Sequence, residues 1–371
     1  MLENSFIPQF EPLFGIEEKE AVNNYMDNVG FITEFKLTQQ FENRLAEFTG
    51  AQHCIVVNNG TISLTLASLA LGLKPGDTVL VPNYTMVATP NSQMLAGIEP
   101  IFCDVEPDTL CIDLTDASRR IQKSTKAIIF VSANGRLPAD HYDSVKLFAE
   151  KHELFLIEDA AQSLGSTING KNIGTFGDVG SISFSAPKII STGQGGALLT
   201  DNDDIAAMIR KKKDFGRSSG GNDIHDEIGF NFKFTELQAA VGLAQLEKLS
   251  DRVIRKKDIF KQYQEYLNDC NQVSLYHNDC DITAPWFIDI MCENRDQLAQ
   301  FLKNNGIGTR VMYPPINRQK AYSQHFQHFE DFPVSSAVGK FGLWLPSSVQ
   351  LENRQIKYIC SKIKDFYSAG N

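Results

Sequence analysis

Residues 154–196 read LFLIEDAAQSLGSTINGKNIGTFGDVGSISFSAPKIISTGQGG. A short apolar run ends in an acid, Asp159. A second run rich in Ser and Phe follows, and after it comes Lys188, with Ser191, Thr192, Gly193, Gly195 and Gly196 close behind. The pattern predicts a buried strand that presents a carboxylate at its C-terminal end. An amine follows in a loop whose small residues leave room for a bound molecule.

This pairing suits pyridoxal phosphate. A lysine amine forms a Schiff base with the cofactor aldehyde, and an acid keeps the pyridine nitrogen protonated so that the ring can act as an electron sink. Taken alone, the stretch fits as well with Asp159 capping a helix and Lys188 standing on the surface. The rest of the chain decides between them.

Upstream, AQHCIVVNNGTISLTLASLALGL (51–73) predicts a strand at Cys54–Val57, a turn at Asn58–Gly60 and a helix opening at Thr61 or Ile62. A strand, a glycine turn and a helix N-terminus leave several backbone N–H groups unpaired and pointing outward, which is an anion site. Gly60 permits the tight turn and the Thr61 hydroxyl adds a donor. Further strands are expected at Thr78–Val81, Ile98–Asp104, Thr125–Ser132 and Ala197–Thr200. Helices are expected at Ile16–Met26, Leu37–Phe48, Val87–Ala96, Ser144–Lys151 and Asp204–Phe215, the last carrying a basic run RKKK read as a solvated face. Continuous apolar strands separated by helices imply a mostly parallel sheet with both faces covered, and ligands there sit beyond the carboxyl ends of the strands. Asn58–Thr61, Asn83–Met86, Ser132–Arg136, Asp159–Gln162 and Ser183–Lys188 all fall at or near such ends.

Residues 216–234, GRSSGGNDIHDEIGFNFKF, read as a long functional loop or an intersubunit arm. A helix from Thr235 through about Asp251 then leads into a smaller α+β unit, dividing the chain into 1–250 and 251–371. In that unit strands are expected near Thr283–Met291 and Thr309–Met312, with helices at Asp296–Asn304 and Glu352–Tyr367. The loop NGIGTRVMYPPINRQKAY (305–322) exposes Arg310, Tyr313 and Arg318. Two arginines beside an α/β cleft either hold a carboxylate or pyrophosphate or simply stand on the surface.

The bulk numbers set bounds. At 371 residues, 42% hydrophobic and 22% charged, the chain is globular and long enough for two domains. A net charge of -10 argues against nucleic acid as a partner. No apolar run is long enough to span a bilayer, and MLENSFIPQFEPLFG lacks the basic and apolar regions of a secretory signal. Seven scattered cysteines fit reduced thiols of a cytoplasmic protein, and neither they nor the histidines have metal-ligand spacing.

From Ile7 onward the chain resembles the DegT/DnrJ/EryC1/StrS family of sugar aminotransferases. The matching segments, in family order, are NNGTISLTLASLALGLKPGD, VPNYTMVATPNS, IEDAAQSLGS, GTFGDVGSISFSAPKIISTGQGGALLT, IGFNFKFTELQAAVGLAQLEKL and TRVMYPPINRQKAY. The resemblance implies the aspartate-aminotransferase fold (fold type I of the pyridoxal phosphate enzymes), with a mostly parallel seven-stranded sheet and a smaller C-terminal α+β domain. It implies that Lys188 carries the cofactor, that Asp159 meets the ring nitrogen and that Gln162 lies near the ring oxygen. Gly60, Thr61 and Ser183 surround the phosphate, and Asn231 reaches the phosphate of the neighbouring subunit in a homodimer with shared sites. L-glutamate is the implied amine donor and a nucleotide-linked keto-sugar the acceptor. Lys188, where dehydratase relatives carry histidine, argues for transamination.

Three positions depart from the family pattern. Met86 replaces an aromatic residue that packs on the cofactor ring. Ser132-Ala133-Asn134-Gly135-Arg136 replaces a His-Leu-Tyr-Gly segment, which puts Asn134 and Arg136 among the expected substrate contacts with Arg310, Tyr313 and Arg318. Asn317 replaces a histidine in the late motif. Length and the TRVMYPP segment resemble most the perosamine-forming branch, which aminates C4 of GDP-4-keto-6-deoxy-D-mannose for O-antigen and lipopolysaccharide synthesis. Acceptors linked to UDP or dTDP, unlinked keto-sugars, and a catalytically silent binding relative are the alternatives.

Overall fold

The computed structural model describes residues 6–28, 30–218, 223–325 and 332–369. Seven strands form one sheet in the order His53–Val57, Gly196–Thr200, Val179–Ser183, Phe155–Asp159, Thr125–Val131, Thr78–Pro82, Glu99–Cys103. Gly196–Thr200 runs antiparallel to both its neighbours, while the pairings from Val179–Ser183 to Glu99–Cys103 are all parallel. This is the aspartate-aminotransferase architecture that the apolar runs and the resemblance implied. Ile55, Val79, Val81, Ile129 and Ile157 lie in one core with no measurable exposure. Each such side chain contributes roughly 1.5–3 kcal/mol relative to exposure, which explains why both faces must be covered.

The smaller domain holds a four-stranded antiparallel sheet in the order Val273–Leu275, Ile288–Cys292, Gly342–Leu345, Arg310–Val311. Helices Arg295–Asn304 and Asn353–Ser368 pack on it. Ile7 belongs to this core too: its N–H donates to Gly306 O at 2.8 Å and its carbonyl accepts from Gly308 N–H at 2.7 Å. The N-terminal segment therefore crosses the expected division at 250/251. Among the described residues no helix is long and apolar enough to cross a membrane.

Three local expectations are corrected. The helix expected through Asp251 is two helices, Glu236–Glu247 and Leu249–Leu267, meeting at Lys248. Lys248 pairs there with Glu17 and Glu18, and Arg252 one turn on donates to Leu13 O and Ile189 O at 2.9 Å each, so tertiary contacts fix the junction. The RKKK run is not simply a solvated face. Lys213 is buried, donating to Val56 O at 3.1 Å and pairing with Glu34 and Glu42, while Arg210 pairs with Glu42 at 2.9 Å. The strand expected from Thr283 enters its ladder only at Ile288, because the residues before it bond to the large domain instead.

Candidate active site

Asp159 ends its strand facing the cleft between the domains, almost wholly buried. Its carboxylate accepts from Thr89 Oγ1 at 2.7 Å and from Ala161 N–H at 3.2 Å. Burial raises its pKa, and the Thr89 bond and the Lys188 charge pull the other way. Lys188 sits in the loop after Val179–Ser183, with its backbone N–H bonded to Ser185 O. Burial brings its amine down to about 8; Asp159 opposes that shift and Arg310 adds to it. The amine thus exchanges protons near neutrality, as a proton carrier at an amine-transfer site must.

Both side chains line one cavity of about 530 Å³. Its far wall is the N-terminus of helix Gly60–Ala70, where Asn59 Oδ1 caps Ile62 N–H at 2.9 Å. That cap leaves the N–H groups of Gly60 and Thr61 to an anion. Gly60 is required by crowding: a β-carbon there would lie 2.9 Å from Ser183 Cβ and 3.1 Å from its Oγ. Gln162 Oε1 accepts Asn134 N–H at 2.8 Å, which leaves its amide N–H₂ to the cavity.

Of the residues expected from sequence, Gly60, Thr61, Met86, Asp159, Gln162, Ser183, Lys188, Arg310 and Tyr313 all line this cavity. Arg310 stands exposed with its guanidinium 6.0 Å from the Tyr313 ring. Burial pushes the Tyr313 hydroxyl up to about 12, so it stays protonated. Four residues lie elsewhere. Arg318 is exposed in a short 3-10 turn. Asn231 is exposed in the segment after Phe230, bridged to Asp214.

Asn134 and Arg136, expected to touch substrate, are instead buried and consumed in an interdomain joint. Arg136 donates to both oxygens of Asp289, at 3.2 and 2.9 Å, and to Thr109 O at 2.9 Å. Asn134 bonds both the N–H and the carbonyl of Phe287. Asn317 has a structural use as well: it exchanges two 3.0 Å bonds with Asn83 at the end of a sheet strand.

The model of the DegT/DnrJ/EryC1/StrS aminotransferase family matches residues 13–364. The chain belongs to that family. A curated relative, the GDP-perosamine synthase of Escherichia coli O157:H7, is 36% identical over 98% of this chain and 99% of its own length. The GDP-perosamine synthase of Vibrio cholerae is 34% identical over the same shares. A DegT DnrJ EryC1 StrS aminotransferase from Brucella abortus superposes with a TM-score of 0.87 at 30% identity, covering 95% of both chains.

As a member of this aminotransferase family, the chain is an enzyme and its cofactor is pyridoxal phosphate. The cavity fits the cofactor. It offers a desolvated acid for a ring nitrogen, an amine of lowered pKa for an aldehyde, and unpaired N–H groups at a helix N-terminus for a phosphate. Sequence reasoning missed Trp286 and Thr89. Thr89 orients Asp159, and Trp286 lines the cavity with its ring centroid 4.2 Å from Lys188 Nζ. Trp286 lies nearly a hundred positions beyond Lys188 in a run that reads as plain strand, so no local signal marks it.

Proposed function

We propose that this enzyme moves the amino group of L-glutamate to C4 of GDP-4-keto-6-deoxy-D-mannose. Support comes from the full-length similarity to two GDP-perosamine synthases together with the one observation that carries the chemistry: Lys188 and Asp159 face a single cavity closed by a helix N-terminus. Bound pyridoxal phosphate supplies an aldehyde for amines and a conjugated ring that spreads the charge left when a Cα proton departs.

The chain's own groups do the rest. Asp159, fixed by Thr89, holds its charge toward the ring nitrogen. The N–H groups of Gly60 and Thr61, with Ser183, take the phosphate, and Gln162 offers its amide N–H₂ to the ring oxygen. The Met86 thioether covers a ring face in place of an aromatic side chain. Lys188 anchors the cofactor, then takes the Cα proton of glutamate and later returns a proton to the sugar carbon. Arg310 and Tyr313 present a cation and a hydroxyl at the mouth for the donor carboxylate or the acceptor's pyrophosphate, and Arg318 extends that rim. Asn231 completes the site of a second subunit in a cytoplasmic homodimer. The exposed apolar residues Phe31, Ile228 and Phe230 support such an interface.

The test is a panel of GDP-, UDP- and dTDP-linked keto-sugars assayed for glutamate-dependent amination. GDP-4-keto-6-deoxy-D-mannose should give the highest kcat/KM, and Lys188→Ala should abolish turnover with every acceptor. A clear preference for a UDP- or dTDP-linked sugar would sink the substrate assignment, and turnover by Lys188→Ala the assigned role.

A further inference from the structure

Trp286 and Lys188 meet across the domain boundary, with the amine resting on the indole face. The indole is held from two sides. Its Nε1–H donates to Pro187 O at 2.7 Å, one residue before Lys188, and its ring stacks on Phe287 with centroids 3.8 Å apart. Phe287 is in turn gripped through its backbone. Its N–H donates to Asn134 Oδ1 at 2.7 Å and its carbonyl accepts from Asn134 Nδ2 at 2.8 Å, so one side-chain amide pairs with both backbone polar groups of a single residue as a neighbouring strand would.

The grip is itself braced. Asn134 Nδ2 also donates to Asp289 Oδ1 at 3.0 Å, and Asp289 forms the two-pronged pair with Arg136. Arg136 lies 5.0 Å from the Tyr276 ring, and both members of the ion pair are almost fully buried. Asn134 adopts φ 56°, a left-handed conformation that disfavours side chains other than glycine and is tolerated best by Asn and Asp. The chain thus accepts local strain at the residue that makes the grip.

We propose that Asn134, Arg136 and Asp289 are positioning residues of an interdomain latch that seats Trp286 against Lys188, and that the indole face is where the free lysine amine rests between its proton transfers. The proposal rests on the assignment of Lys188 as the proton carrier. It gives the Ser132–Arg136 departure a use: the replaced segment orients the lysine's support and does not read the sugar. A cation on an indole face gains enough to favour one rotamer of a flexible lysine without trapping it.

Lys188 also faces Asp159, Arg310 and Tyr313 in the main cavity, and Glu11, Arg252 and Lys256 across a small second cavity. Its titration must therefore be tied to Trp286 by variants. The chain contains two tryptophans, so Trp344→Phe leaves Trp286 as the sole reporter in the full-length protein freed of cofactor. Its emission should titrate with a midpoint of about 8. Adding Lys188→Ala should erase that transition. Asn134→Ala, with Lys188 still present, should erase it as well and raise quenching by acrylamide.

Asn134→Gly keeps the left-handed backbone without the amide and should behave like Asn134→Ala, which separates the grip from the strain and serves if the alanine variant does not fold. In the cofactor-loaded enzyme both variants should lower kcat about tenfold or more with little change in glutamate KM. An unchanged emission transition in Asn134→Gly would overturn the latch. The emission readout needs no sugar, so failure of the substrate assignment leaves this result intact.

Discussion

Gly60 and Ser183 approach so closely that a β-carbon on the glycine would stand 2.9 Å from Ser183 Cβ, nearer than real β-carbons come. One residue opens a helix and the other ends a central strand, so neither backbone can yield without moving an element. Gly60→Ala should displace the helix N-terminus from the anion position. The expected outcome is a roughly tenfold weaker pyridoxal phosphate affinity, about 1.4 kcal/mol, measured by absorbance titration of the cofactor-free protein. Unaltered affinity would show that the Gly60 and Thr61 N–H groups do not hold the phosphate.

The Arg136–Asp289 pair leads to a prediction opposite to that for a substrate arginine. Both groups are desolvated, so removing one leaves the other charged and buried, at a cost of roughly 3–5 kcal/mol. Asp289→Leu alone should therefore unfold at markedly lower urea. Arg136→Met combined with Asp289→Leu should recover much of the loss, since no lone charge remains. A stable Arg136→Met enzyme with only a raised sugar KM would restore the substrate reading.

The contrast between these two sites shows what the linear chain discloses. Gly60, Asp159, Ser183 and Lys188 are legible because each sits at or within a few residues of a strand end, and apolar runs with glycine turns mark those ends directly. Arg136 was misread because its partner, Asp289, lies 153 positions away in the other domain. An arginine near a cleft looks the same before its counter-charge is known. Helix Leu114–Arg120 escaped notice since it is seven residues long and buries only Asp116 and Ala117, too little for an apolar stripe. Lys213 reads as a solvated charge because a buried lysine and an exposed one share the same sequence pattern.

Lys256, outside the main cavity, offers a test of buried charge that is read by stability alone. It lies almost wholly buried in helix Leu249–Leu267, donating to Ser347 O at 2.6 Å, and burial alone lowers its pKa to about 7. The unfolded chain keeps an ordinary lysine, so between about 7 and the usual lysine range near 10.4 the unfolded state binds more protons and stability rises with pH. Below that window the penalty is at its full size. Lys256→Met removes it, at the expense of about 1 kcal/mol for the carbonyl left without its donor. The variant should gain stability over the parent at pH 7 in urea unfolding, and the gain should shrink toward about pH 9.5. A gain independent of pH over that range would mean the fold does not lower the lysine's pKa and the amine stays charged throughout.

Asn231 tests whether two chains share each site. It is exposed and does not line the cavity of its own chain, in a segment just after the exposed apolar residues Ile228 and Phe230. If it completes a neighbour's site, Asn231→Ala and Lys188→Ala damage opposite halves of the same machinery. Each variant alone should be poorly active at limiting cofactor. Mixed, denatured and refolded together, half of the dimers pair the two variants, and each such dimer carries one site with both residues intact. The mixture should therefore recover about a quarter of the parent activity. Recovery should require exchange of subunits, so mixing without unfolding should give less. A mixture no more active than the mean of its components would show that Asn231 does not serve a neighbour's site and leave each subunit self-sufficient.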